Sequence, residues 1–391
     1  MPQNNPHYLP VNWMDGMKIN KSHFIAQNNA FTLQAAQGVS SLLNNFNYGL
    51  LPDKNNGNGV KIFVSADNQQ QVQVRLQRCT AVTLGGYVIE FDENDFSINT
   101  FKAFIPQLSV PFAELKGKSA EYLVVVVVNP YKRVPYGDGD PNETPPRLPY
   151  TLPSYELQLM PVNETKENAL GNFQIPVARV RVEDQKVLLD EDYIPPCSSI
   201  NSHTDLVEIH AALENFFGKI ELYSLQIIQR ILQKKQQNEM AFITQRLCEQ
   251  IIFFTALQLN EFKQINLYQP PVFLINTVSA FARVIKNTLD VYIGSGKEEL
   301  INYCIEWCDV NQGELEGAIT TLANHKYDHL DINNSIEKVS VFTKLISRLF
   351  VNLSKLEYIG KRKEAGIFVK EQIIKPEPEP QPKKRRSFLA E

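Results

Sequence analysis

Two cysteines and two histidines, Cys304, Cys308, His325 and His329, stand at Cys-x3-Cys…His-x3-His spacing. Four such ligands could hold a tetrahedral zinc, since residues four apart on a helix point the same way. The cysteines, however, fall in the amphipathic stretch Cys304-Ile305-Glu306-Trp307-Cys308, whereas finger cysteines sit on turns. Core thiols beside surface histidines are the plainer expectation, and neither a metal nor another cofactor is expected. Gly294-Ser295-Gly296-Lys297 has the ending of a phosphate-binding loop, but Val291 replaces the first glycine and Glu298 the magnesium-binding hydroxyl. Asp138, Asp140, Asn142 and Glu143 offer oxygens without the glycine and glutamate of a calcium loop. No nucleophile elbow accompanies the six scattered histidines. With neither a nucleophile–base pair nor a metal set, the expectation is a protein that is not an enzyme.

The chain that positions these residues has 391 residues, 39 Lys+Arg against 43 Asp+Glu, and 43% hydrophobic residues. One hydrophobic core stops growing at about 250–300 residues, so more than one domain is expected. The net charge of −4 argues against a nucleic-acid partner. Five cysteines in so long a chain form no disulfide framework and suit a reducing compartment. The opening MPQNNPHYLPVNW lacks the basic and apolar regions of a signal peptide. The most apolar run, Leu123 to Val128, is far shorter than the roughly 20 residues that span a bilayer. A cytoplasmic protein without direct membrane insertion is expected.

From about residue 60 to 195 the pattern is β. Gln71 to Gln77 alternates polar and apolar, and Val82-Thr83-Leu84-Gly85-Gly86-Tyr87-Val88-Ile89 predicts a hairpin with a glycine turn. Val124 to Val128 has no polar side, as in a strand covered on both faces. Tyr155 to Leu159 alternates, and so does Phe173 to Val182, where Pro176 predicts an edge or a bulge. Short strands with turns between them predict an antiparallel sandwich. Pro130 to Pro153 holds seven prolines and predicts a long extended arm suited to lying across a neighbouring chain, or else a mobile surface loop.

After Ile194-Pro195-Pro196 the period changes to helical. Leu206, Ile209, Leu213, Phe216, Ile220, Tyr223 and Ile227 are spaced 3-4-3-4-3-4, a heptad seam, and are the expected oligomerisation residues. Phe217, Leu222, Leu225, Ile228 and Leu232 lie off the seam, so this helix must be covered from more than one side. Further helices are predicted from Phe242, from Pro271 to about Ile293, and over 298–308, 313–323 and 335–358. Strands followed by helices predict an α+β multidomain chain: a β-sandwich over 1–200, a helical bundle over 201–359 and a short disordered tail over 360–391. The tail joins a Pro-Glu spacer to Lys383, Lys384, Arg385, Arg386, Phe388 and Leu389, a basic and apolar tip of the kind that docks.

One stretch has no chemistry of its own. Val11-Asn12-Trp13-Met14-Asp15-Gly16-Met17, followed by Ser22-His23-Phe24, resembles the opening of the TssK family, baseplate components of type VI secretion systems. Ile175 to Val180 and Leu188 to Cys197 resemble the end of that family's β-domain, and Pro270 and Tyr327-Asp328-His329 also match in order. The resemblance implies a shoulder akin to phage receptor-binding proteins, a helical neck and a homotrimer. It further implies attachment to TssF–TssG wedge proteins and a link to a membrane complex of TssJ, TssL and TssM, at the cytoplasmic face of the inner membrane. Trp13, Asp15, Gly16, Met17, His23 and Phe24 carry the match; Trp13 and Phe24 are expected to seat the N-terminal segment on the sandwich, and Gly16 to permit a turn. Family members continue into a C-terminal head, for which the segment after Tyr358 is too short, so the tail is expected to replace it as tether to the membrane complex. The alternatives are a phage-tail-like receptor-binding protein and a homo-oligomeric adaptor without a secretion role.

Overall fold

The structure is a computed structural model that describes residues 8–53, 57–66, 71–95, 106–115, 121–164, 170–183, 186–308 and 311–360. The tail residues Lys383, Lys384, Arg385, Arg386, Phe388 and Leu389 lie outside the described residues. The chain divides into two units. The first takes residues up to 207 together with 266–273 and 327–333; the second takes 208–265, 274–326 and the chain from 334 onward.

The first unit opens with helix α1 (Lys21–Ser40) and then forms two antiparallel sheets. One sheet is built on β3 (Gln71–Val82), which pairs with β1 (Gly49–Leu50), β2 (Val60–Ala66), β4 (Val88–Asp92) and β5 (Gln107–Pro111); the short helix α2 (Phe112–Leu115) follows β5. The alternation in β3 does what its period requires: Val72, Val74 and Leu76 are buried, Gln73 and Arg75 exposed. The predicted hairpin forms, with a longer turn than two residues. Thr83 and Tyr87 pair through Thr83 N–H and the Tyr87 carbonyl, and Gly86, at φ +81°, closes Leu84-Gly85-Gly86.

The second sheet has the order β7 (Tyr150–Pro161), β6 (Glu121–Tyr136), β8 (Gln174–Glu183) and β9 (Lys186–Leu189). Strand β6 is interior, and Val124, Val125, Val126 and Val128 are buried, as an all-apolar strand demands. Pro176 sits at a bulge: Val124 faces Ala178 while Val125 faces Pro176, leaving Val177 as the extra residue. The proline-rich arm is mostly not an arm. Strand β6 runs on past Pro130 and Pro135, β7 begins at Tyr150, and a register shift between Asn129 and Arg133 absorbs the proline that cannot donate to the ladder. Only residues 137–149 connect the strands.

The second unit holds most of α3 (Thr204–Gln233), all of α4 (Glu239–Gln264), most of α5 (Pro271–Asp290), α6 (Lys297–Cys308), α7 (Gln312–Ala323) and most of α8 (Ile332–Lys355). Its centre is aromatic. The Phe281 ring lies 5.9, 5.5, 5.3 and 6.1 Å from Phe216, Phe217, Phe254 and Phe342, mostly edge to face. The heptad seam therefore faces its own chain: Leu206, Ile209, Leu213, Phe216, Ile220 and Ile227 are buried and Tyr223 is half-buried. Packed this way, the seam has little apolar area left to offer another copy. The large apolar side chains that stay exposed on α3 are Val207 near its start and the off-seam Leu222, Leu225 and Leu232.

Candidate functional site

Between Lys21 and Asp53 the sequence has no Lys, Arg, Asp or Glu. The segment folds through local chemistry. Met17 N–H bonds the Met14 carbonyl, and Gly16, at φ +76°, supplies the left-handed residue of that turn. Asn20 caps α1 by accepting from Ser22 N–H at 3.0 Å and His23 N–H at 3.4 Å. His23 Nδ1 accepts in return from Asn20 N–H at 3.3 Å, a reciprocal box with histidine in the place usually held by Glu or Gln. Val11 N–H bonds Gln27 Oε1 at 2.9 Å and ties the preceding strand of chain to the helix.

Trp13 and Phe24, expected to seat the segment on the sandwich, are largely open. Their rings lie 6.2 Å apart and remain 45% and 61% exposed, beside Met14 at 69%. Asp15 is exposed and Met17 half-buried. Leu9, Ile19, Ile25, Phe31 and Leu42 are exposed as well, so a segment whose charged residues are Asp15, Lys18 and Lys21 presents most of the open large apolar side chains among the described residues of the first unit.

The other matched segments converge in the first unit. Asn333 joins the end of the β-region by accepting from Ile194 N–H at 2.9 Å and donating to the Asp192 carbonyl at 2.6 Å. Ile200 N–H bonds the Gln269 carbonyl beside Pro270. His329 is buried, its Nε2 donating to the Tyr48 carbonyl at 2.9 Å while Nδ1 accepts from the Tyr327 hydroxyl at 2.8 Å. A carbonyl only accepts, so this tautomer is dictated, and burial pushes the imidazole pKa down to about 4. These motifs lie far apart in the sequence, and nothing in their spacing announces that they meet.

The other candidate groups have structural partners. Cys304 and Cys308 are buried, and a mutual hydrogen bond with burial holds the Cys304 thiol well above its ordinary pKa. His329 is committed to Tyr48 and Tyr327, and His325 to Ser335 and Lys338, so the four residues at zinc-ligand spacing do not form a set, and His329 is buried where a surface histidine was expected. Among the described residues, no three His, Cys, Asp or Glu side chains are grouped to hold a metal. His325 Nε2 lies 2.8 Å from Ser335 Oγ, the spacing of a hydrolase dyad. The lysine on its other side decides the matter: Lys338 Nζ, 3.3 Å from Nδ1, can only donate, so Nε2 carries the proton and donates to the serine. A triad needs the reverse, and Ser335 is 1% exposed. Lys297 of the loop remnant bridges Asp290 Oδ1 at 2.7 Å and Glu316 Oε1 at 3.2 Å, a staple rather than a phosphate ligand. The Asp140 carboxylate is bonded by Asn142 N–H at 2.9 Å, and Glu143 pairs with Arg147. Among the described residues no helix is long and apolar enough to cross a membrane.

Residues 141–278 match the type VI secretion family. The matching family model is T6SS_VasE, described as bacterial type VI secretion, VC_A0110, EvfL, ImpJ, VasE. No curated protein matches the chain. Among solved structures, a crystal structure of TssK is similar at 16% identity and a TM-score of 0.43, covering 71% of this chain. This chain spans 61% of the length of that TssK chain. A chain of the TssK-TssF-TssG baseplate subcomplex is similar at 12% identity and a TM-score of 0.43, covering 88% of this chain and 99% of its own. A chain of the type VI secretion baseplate complex is similar at 12% and 0.49, covering 87% and 100%.

Proposed function

We propose that the chain is a non-catalytic structural subunit of a type VI secretion baseplate, acting in the cytoplasm as a homotrimer that links wedge proteins to the membrane complex. The observation that carries this reading is the family match over residues 141–278. The sparsely charged segment from Leu9 to Phe46, with Trp13, Met14, Phe24 and Phe31 open, suits docking onto a TssF–TssG-type wedge. Self-association falls to the outer face of α3, where Gly218, Leu222, Leu225, Gln229 and Leu232 repeat at 4-3-4-3 spacing. The tail residues from Lys383 to Leu389 supply the envelope-side tether.

Co-expression with TssF- and TssG-type wedge proteins tests the reading. The chain should co-elute with them, and failure to do so at micromolar concentration overturns the baseplate assignment. Mass measurement should return three copies, and the double variant Leu222→Lys, Leu225→Lys should return one. Deleting residues 375–391 should spare both trimer and wedge binding while weakening capture of the membrane complex; undiminished capture refutes the tether.

A further inference from the structure

The first unit holds an open groove of about 350 Å³ between α1, the β3–β4 turn and the β6–β7 bulge. Ala35 and Val39 of α1, Val88 of β4, and Pro130 and Pro153 at the bulge make it apolar. Arg133 is the cation in it. Of its five N–H donors, Nη2 donates to Thr32 Oγ1 at 3.2 Å, while Nε–H is shielded from solvent and meets no acceptor.

The other arginines of the two sheets are treated differently. Arg75 pairs with Glu93, Arg78 with Asp53 and Asp92, Arg179 with Asp190, and Arg181 with Glu121. Among the described residues Arg133 forms no ion pair. A partly buried guanidinium without a carboxylate is costly, and a sheet that supplies one to every other arginine leaves this one open to an outside acceptor. The volume suits a few side chains of an extended segment.

We propose that this groove docks an extended segment of a partner protein that presents an Asp or Glu carboxylate to Arg133 and small apolar side chains to the wall formed by Ala35, Val39 and Val88. The carboxylate would complete the pairing that the sheet omits, through the fork geometry that favours arginine for this contact. The site extends the docking role proposed for the first unit and rests on that reading only for the origin of the partner.

Random heptapeptides displayed on phage and selected on the full chain test the groove directly. Selected peptides should carry Asp or Glu flanked by Ala, Val, Leu or Pro. Arg133→Gln should weaken their binding about ten- to hundredfold, the worth of a charge-assisted contact. Ala35→Trp, which fills the groove from the α1 side and keeps the Arg133 charge, should do the same. Arg133→Glu should instead select peptides carrying Lys or Arg. Arg133→Lys, which keeps the charge, should retain part of the binding and controls for folding. Selected peptides without an acidic preference, or binding unmoved by both Arg133→Gln and Ala35→Trp, overturn the proposal. Peptides matching a segment of this chain overturn the partner and assign the groove to a second copy. The display needs no wedge protein, so its outcome is separate from the co-elution that tests the baseplate reading.

Discussion

Helices α1 and α8 have similar lengths and opposite economies of burial. In α8 the apolar residues Ile332, Ile336, Val339, Phe342, Ile346, Leu349, Phe350 and Leu353 are buried, a single stripe at helical period. In α1 only Asn29, Ala30 and Ala36 are buried, while Phe24, Ile25 and Phe31 are exposed. A short isolated helix is marginal in water, and tertiary burial normally stabilises it. Helix α8 has that burial within its own unit. Helix α1 relies on the Asn20–His23 box, the Val11–Gln27 bond and a close seat against the hairpin, where the place of a Gly86 Cβ lies 2.0 Å from the Ala36 carbonyl oxygen. The difference separates a helix made for the chain's own core from one whose apolar face suits something else.

The largest expected effect lies on the α8 side. Phe342→Ala should cost about 3–5 kcal/mol of unfolding free energy, because it empties a site packed edge-on against Phe281. Denaturant unfolding of the full chain measures it, and a loss below about 1 kcal/mol would mean that the aromatic centre can collapse around the gap.

The buried His329 predicts the next effect. Its folded pKa is about 4, below the ordinary value, so the unfolded chain binds the proton more readily as pH falls. The stabilisation is complete above about pH 6.5 and is lost as pH falls toward 4, roughly 3 kcal/mol in all. The stability advantage of the native chain over His329→Gln should therefore shrink between about pH 7 and pH 5. A gap that stays constant, or widens on acidification, would show that the imidazole is not held neutral.

Gly86→Ala should cost about 1–3 kcal/mol, since it combines a left-handed φ with a clash against α1. Hydrogen exchange should quicken in α1 more than in β3 if the hairpin is the seat of the helix. The smallest effect on stability is expected of Phe31→Ala, within about 0.5 kcal/mol. The same variant should weaken wedge binding. Equal destabilisation by Phe31→Ala and Phe342→Ala would erase the contrast between the two helices.

The legibility of the two regions follows the same division. The alternation in β3, the apolar block in β6, the glycine hairpin and the long helices were readable because each buries one face, and burial imposes a period. Helix α1 was not readable as a helix: its apolar residues follow no stripe, because little of it is buried by its own chain. The proline-rich stretch misleads for a related reason, since a bulge lets Pro130 lie within β6 where composition alone suggests an arm. At the N-terminal site, the distinctive residues were visible in the sequence and their division of labour was not. Gly16 and His23 shape the segment, while Trp13 and Phe24 stay open.

The sequence by itself determined the kinds of element and their order from the β-region onward, and the change from strand to helix near residue 200. These are local properties of period and residue type. Tertiary structure decided which apolar stripe of α3 faces inward, that the segments around Pro270 and His329 join the first unit, and that Arg133 alone among the sheet arginines forms no ion pair among the described residues. Such outcomes depend on contacts between residues as far apart as Tyr48 and His329, and spacing along a chain carries no information about a partner hundreds of residues away.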